Sequence, residues 1–391
     1  MLPTKHLALY SPIDKLNFGM AKQSQKPECA MENIFFKFPH LGEQIYDSLS
    51  NEDVANCKEV DRSWCSYLLE QKFVEIRKIE AIVEQFHKLG KAWKIVLKKA
   101  PTETIMDLRF AVETFYQKGD GKRYLEGLTP YHVAAGTGRL LLLLAIQETT
   151  KQKCLFSYDL EGFAPFHYAA QNGHKTVCEY IINTGYWKNP AAQCTTEINI
   201  GTTPLHSAAY NGHYQICELI VEKIQDVNPK TQNGWTPLHA AAKRGHLEIY
   251  KIIMDKVEDK NPMRFDGYTP LHLAAEWGHL EICQLIQEKL QNKNPSANNG
   301  YTPLHLAAYC GHLEICKIII DTLEVKNPGR IDGYTPLHAA AKNGQYETCK
   351  LILDNIQDKM PQWAGKTPLD LATENNHYEV CNLLNPQCYI Q

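Results

Sequence analysis

The side chains best equipped for chemistry in this 391-residue chain are its histidines and cysteines. His206, His239, His272, His305 and His338 recur at 33-residue steps, and His213, His246, His279 and His312 follow at the same interval. Paired imidazoles could ligate a metal, but a metal site needs ligands that converge with Cys/His spacing. Here each pair repeats in register with its neighbours, so structural hydrogen bonding is the expected role. Cys178, Cys217, Cys283, Cys316, Cys349 and Cys381 share one slot, 14 residues after a Thr (Ala164 in one case), and Tyr250 fills that slot once. A slot shared with tyrosine is a packing slot, where a thiol behaves as a small hydrophobe. The glycine-containing stretches "GDGK" (119–122) and "GTGR" (136–139) lack the full phosphate-cradle pattern and its strand context. No nucleophile elbow or zincin helix occurs, and the carboxylates are spread by the same register. Neither an enzyme nor a bound cofactor or metal is expected.

The register itself is set by Thr-Pro, at Thr203, Thr236, Thr269, Thr302 and Thr335 in steps of 33, with Thr367 a further 32 on. Thr129 and Ala164-Pro165 extend the series upstream, giving eight units. Thr reads as a helix N-cap and Pro as the first helical residue, where no N–H is needed. "LHLAA" continues a short helix whose alanines permit close packing, and Gly278 stops it in a left-handed conformation. "HLEICQLI" is a second, amphipathic helix with Leu280, Cys283, Leu285 and Ile286 on its apolar side. Asn261-Pro262 ends the unit. Asn233-Gly234, Asp266-Gly267, Asn299-Gly300 and Asp332-Gly333 signal a tight hairpin turn.

Helix, turn, helix and projecting hairpin in 33 residues resemble the ankyrin repeat. "TPLH" is intact at 203–206, 236–239, 269–272, 302–305 and 335–338, and weakens to "TPYH" (129–132), "APFH" (164–167) and "TPLD" (367–370). The resemblance implies an all-α solenoid of eight helix-turn-helix units with β-hairpin fingers over residues 123–391. Atypical end units fit, since terminal repeats face water. Variants of "DKNP" replace the family's usual tail, which is expected to change the approach to the hairpin and leave the fold alone.

By the same resemblance, a partner protein binds the concave face, at the positions after Asn-Pro, before Thr-Pro and before the stopping glycine. Those positions hold Thr231, Trp235, Lys243 and Arg244; then Arg264, Phe265, Tyr268, Glu276 and Trp277; then Tyr301, Tyr309, Arg330, Ile331 and Tyr334. Trp, Tyr and Arg are the residues favoured at binding hot spots. An aromatic before Thr-Pro can equally serve to shield a neighbouring hairpin. Within "AAQCTTEINIGT" one finger carries six extra residues, a length variant or a binding insertion.

Upstream, residues 1–30 are polar and aperiodic, and read as disordered. Residues 31–70 read as a small helical domain. Ile45 and Leu49 lie one helical turn apart, "SNEDV" offers a cap, and Cys57, Val60 and Trp64 continue an apolar face. This segment resembles an F-box: Phe38-Pro39 for the opening Leu-Pro, one residue short; Ile45 and Leu49 for its first helix; Asp53-Val54 for its Asp-Leu; Val60 and Trp64 for its valine and closing tryptophan. The alternative is a plain structural cap. Residues 71–122 read as linking helices, with Trp93, Ile95, Val96 and Leu97 packed on the first repeat.

The net charge of −3 provides no global basic field for nucleic acid. The longest apolar run, Leu140 to Ile146, is far short of a bilayer span. Thirteen cysteines without a C-x-x-C pair fit a reducing cytosolic or nuclear compartment. "CYIQ" is a formal prenylation box at Cys388, without an aliphatic residue at Tyr389 or a preceding polybasic run. The two resemblances together imply a substrate receptor of a ubiquitin ligase. The F-box docks a Skp-type adaptor and a cullin, the array holds a substrate protein, and the chain is otherwise monomeric. The alternative is a non-enzymatic scaffold, or a protein that masks its partner.

Overall fold

A computed structural model describes residues 62–85, 89–117, 127–150, 157–184 and 200–385, with side chains from residue 71 onward. The chain divides into Met1–Tyr67 and Leu68–Gln391. Of the first unit only the backbone at the start of α1 (Arg62–Glu84) is described. The segment 1–30, the F-box positions Pro39, Ile45, Leu49, Asp53, Val54 and Val60, the side chain of Trp64, the insertion up to Asn199 and Cys388 lie outside the described residues.

After α2 (Lys91–Lys99) and α3 (Thr102–Gln117) come eight helix pairs. They are α4 (Pro130–Gly136) with α5 (Leu140–Thr150), α6 (Pro165–Gln171) with α7 (Lys175–Asn183), α8 (Pro204–Asn211) with α9 (Tyr214–Val221), and α10 (Pro237–Arg244) with α11 (Leu247–Met254). The last four are α12 (Pro270–Trp277) with α13 (Leu280–Lys289), α14 (Pro303–Cys310) with α15 (Leu313–Thr322), α16 (Pro336–Lys342) with α17 (Tyr346–Asn355), and α18 (Pro368–Glu374) with α19 (Tyr378–Leu384). First helices pack on first helices and second on second, so the units form two layers. Alanines such as Ala274, Ala275, Ala307 and Ala308 are fully buried between first helices, because no larger side chain would let the backbones approach so closely.

The first helices are capped at their N-termini, and α10, α12, α14 and α16 are capped twice. In α12 the backbone N–H of Thr269 donates to His272 Nδ1 at 3.2 Å. The Asn of Asn-Pro, read in the sequence as a terminator, closes the second cap: Asn261 Oδ1 accepts from the Leu271 N–H at 2.9 Å. Asn228, Asn294 and Asn327 do the same for Leu238, Leu304 and Leu337. The lysine before that Asn satisfies carbonyls at the end of the preceding second helix: Lys326 Nζ reaches Ile320 O at 2.8 Å, and Lys260 reaches Met254 and Val257. The "KNP" tail is thus a C-cap and an N-cap in adjacent residues.

The fingers differ from the expected β-hairpins. Among the described residues no strand forms, and the only bridge joins Trp363 and Lys366. The fingers closed at Gly234, Gly267, Gly300 and Gly333 are turns whose fourth residue is the left-handed glycine, whereas the one at Trp363–Lys366 turns on left-handed Ala364 and Gly365 with Lys366 fourth. Gly267 N–H bonds Arg264 O at 3.0 Å, and Arg264 N–H bonds Tyr268 O at 2.9 Å. The Asx-Gly pair therefore closes a three-residue loop and does not form the centre of a two-residue turn. Single backbone bonds stitch several neighbouring fingers, Phe265 N–H to Asn233 O and Asn298 N–H to Asp266 O among them.

In the second helices Ile282, Cys283 and Ile286 are buried, while Leu280 and Leu285, placed on the apolar side from the sequence, are only partly so. Tyr250 takes the cysteine slot because its hydroxyl finds the Lys260 carbonyl at 2.7 Å. At the front of the array Trp93, Val96 and Leu97 are buried, and the Trp93 indole donates to Leu128 O at 2.7 Å. Ile95, expected to join them, is half-buried and lies outside that core.

Candidate partner-binding face

Two rows of histidines hold the face together. In the first, Nδ1 accepts from the N-cap N–H, so Nε2 carries the proton and donates into the next unit. His206 reaches Trp235 O at 3.3 Å, His239 reaches Tyr268 O at 3.3 Å, and His305 reaches Tyr334 O at 3.1 Å. The second row points backwards: His246, His279 and His312 donate to Tyr210 O, Lys243 O and Glu276 O at 3.3, 3.1 and 3.0 Å. Gln345 replaces histidine once and keeps the bond, to Tyr309 O. Burial depresses the first row, to about 4 for His206, His272 and His305 and about 3 for His239. Unit eight departs: Asp370 takes the histidine position and accepts from the Thr367 N–H and hydroxyl, but has no proton to pass on. Among the described residues no three His, Cys, Asp or Glu side chains converge as metal ligands.

The aromatic residue before Thr-Pro lies on the histidine of its own unit. Trp235 stacks on His239 with centroids 5.5 Å apart, Tyr268 meets His272 at 5.1 Å, and Tyr301 meets His305 edge-on at 5.8 Å. Tyr334 stacks on His338 and is buried, with Trp363 packed edge-on against it at 4.9 Å. Arginines lock these rings. Arg264 sits over Trp235 (5.4 Å) and Tyr268 (5.9 Å) and pairs with Asp266 at 2.6 Å. Arg330 sits over Tyr301 (4.5 Å) and Tyr334 (5.6 Å) and pairs with Asp332 at 3.1 Å. Thr231, also placed on the face from the sequence, is buried and bonds Asn233 within its finger.

What stays exposed is a different subset. Phe265 and Ile331 project from the finger tips, and Arg244, Trp277 and Tyr309 from the ends of the first helices; Lys243 and Glu276 are half-buried there. Lys243 Nζ lies between two rings, 5.9 Å from Trp235 and 5.3 Å from Trp277, and Arg244 covers Tyr210 at 4.4 Å. Tyr210, Lys342, Met263 and Trp363 belong to the same surface and were missed. Tyr210 and Lys342 occupy the very register of Lys243, 33 residues before and 99 after, so the signal was in the sequence. Gly136 to Arg139, the weak phosphate-loop match, is the turn between α4 and α5, and Arg139 pairs with Asp107 there.

The sequence profile of ankyrin repeats matches residues 188–266, 256–328 and 320–391, and that of a single ankyrin repeat matches 161–194. No curated protein matches the chain. Among the described residues no helix is long and apolar enough to cross a membrane.

Proposed function

The chain belongs to the ankyrin-repeat family, whose profiles span more than half of it, and from that premise we propose that it is the substrate receptor of a Skp-cullin-F-box ubiquitin ligase. The repeats make it a protein–protein interaction module. The observation that carries the face is the exposed row of aromatic and cationic side chains at the ends of the first helices, Trp277 and Tyr309 among them. Rings held by a rigid stack lose little entropy on binding, which favours them as anchors. The finer assignment is supported by the spacing of Ile45, Leu49, Asp53, Val54, Val60 and Trp64, which resembles the F-box. In this reading the array adds no bond chemistry. It raises the effective concentration of a bound protein near the ubiquitin-charged enzyme.

The test is capture of a Skp-type adaptor and cullin by the full-length chain beside a variant carrying Leu49→Ala and Val54→Ala. Capture by the parent and loss in the still-folded variant is the expected result. No capture by either leaves an ankyrin scaffold or masking protein with a structural N-terminal cap.

A further inference from the structure

The two helix layers differ in charge. The first helices α8, α10, α12, α14 and α16 carry Lys243, Arg244 and Lys342 against Glu276 alone. The second helices α9, α11, α13, α15 and α17 carry eight Asp or Glu against four Lys. In these five units the layer that also bears the exposed rings is therefore net positive, and the other layer net negative. Lys243, Arg244 and Lys342 form no ion pair with any described residue, whereas Arg264 and Arg330 beneath them are paired to Asp266 and Asp332. The row runs Tyr210, Arg244, Lys243, Trp277, Tyr309, Lys342, two rings flanked by cations on either side.

We propose that this row docks an extended acidic segment of a partner protein, with carboxylates facing Arg244, Lys243 and Lys342 and apolar side chains set between them on Trp277 and Tyr309. The proposal rests on the reading that this face holds a partner protein. Size agrees with an extended segment. First helices stack at roughly 8–10 Å, so the three steps from α10 to α16 span roughly 24–30 Å, about eight residues of extended chain at ~3.4 Å each. In such a segment alternate side chains face the array, about four of the eight, enough for acidic ones at the two ends and apolar ones over the two rings between. The acidic second layer repels the same segment and confines it to this face.

The experiment is selection of a random decapeptide library on the full-length chain. The same library is counter-selected on a variant carrying Lys243→Glu, Arg244→Glu and Lys342→Glu, its fold checked by far-UV circular dichroism. The expected winners carry Asp or Glu on both sides of an apolar stretch. Their fluorescein-labelled forms bind the parent at least tenfold more tightly than the variant, weaken between 50 and 300 mM salt, and weaken again with Trp277→Ala. Winners without acidic residues that still fail on the variant overturn the acidic segment and leave the partner-binding face standing. No peptide distinguishing parent from variant overturns both. Tighter binding of labelled (dT)10 than of any acidic peptide, lost in the variant, reassigns the row to nucleic acid.

Discussion

The ring of His272 joins two repeats: Nδ1 accepts from the Thr269 N–H at 3.2 Å, and Nε2 donates to the carbonyl of Tyr301, 29 residues on, at 3.1 Å. Only an uncharged imidazole with its proton on Nε2 can make both bonds. One residue thus caps its own helix and fixes the next finger. From Gly278 onward the traffic reverses, since the His312 ring returns to the Glu276 carbonyl at 3.0 Å. Each interface is thus bonded from both sides.

Acid should therefore dissolve the array. His132, His206, His272 and His305 are depressed from 6.5 to about 4 by burial. A histidine whose folded value lies below its unfolded value contributes fully above the unfolded pKa. That contribution is lost as pH falls from 6.5 toward 4. At pH 5 linkage gives a loss of about 2 kcal/mol for each such residue. Urea midpoints followed by far-UV circular dichroism should fall steeply between pH 6.5 and 5. A midpoint that stays flat to pH 4.5 contradicts the neutral-histidine assignment.

Gly278→Ala and Gly365→Ala form a matched pair. Both glycines are left-handed, with φ +80° and +75°. A Cβ on Gly278 would sit 2.7 Å from His312 Cε1, whereas nothing lies within 4 Å of one on Gly365. Conformational strain alone costs about 1 kcal/mol, and Gly365→Ala should show that much. Gly278→Ala should cost clearly more, because the His312 ring must also move and its bond to Glu276 stretches. Equal losses in thermal melts of the two variants would remove the steric half of the argument.

The repeat, its helices and its glycine stops were legible because they follow from local rules: cap, proline, apolar period, left-handed stop. What the sequence hid were side chains acting across units. Asn261 read as the companion of a helix-breaking proline, yet it bonds the N–H of Leu271, ten residues on. The Asx-Gly pairs promised two-residue hairpin turns, but the finger hydrogen bonds place Gly267 as the fourth residue of its turn. On the face, composition singled out Tyr334 and Trp277 alike. Only packing separates them, burying the first on His338 and leaving the second half exposed.

Asn261→Ala should destabilise the chain by about 1 kcal/mol, the usual cost of a lost N-cap. Asn261→Asp keeps an acceptor at the helix N-terminus and should restore most of it. A parallel change, Lys260→Met, keeps the stem but removes the donor to Met254 and Val257, and should cost about 0.5–1 kcal/mol. Chemical denaturation of the three variants measures this. If Asn261→Ala melts with the parent, the cap contributes nothing.

The cysteine slot gives a last test at individual sites. Cys178, Cys217, Cys283, Cys316 and Cys349 are fully buried, and burial raises every one of these thiols, to about 12 for Cys316 and Cys349. Only thiolate attacks a maleimide or disulfide reagent, so both access and ionisation protect them. Cys310, at the end of α14, is partly exposed. Brief labelling of the native chain at pH 7.5, read site by site by mass spectrometry, should modify Cys310 well ahead of the five slot cysteines. Protection of those five should vanish together in urea, at the midpoint of unfolding, because the repeats share one continuous core. Early labelling of Cys283 or Cys316 would mean that the central units open independently of the rest.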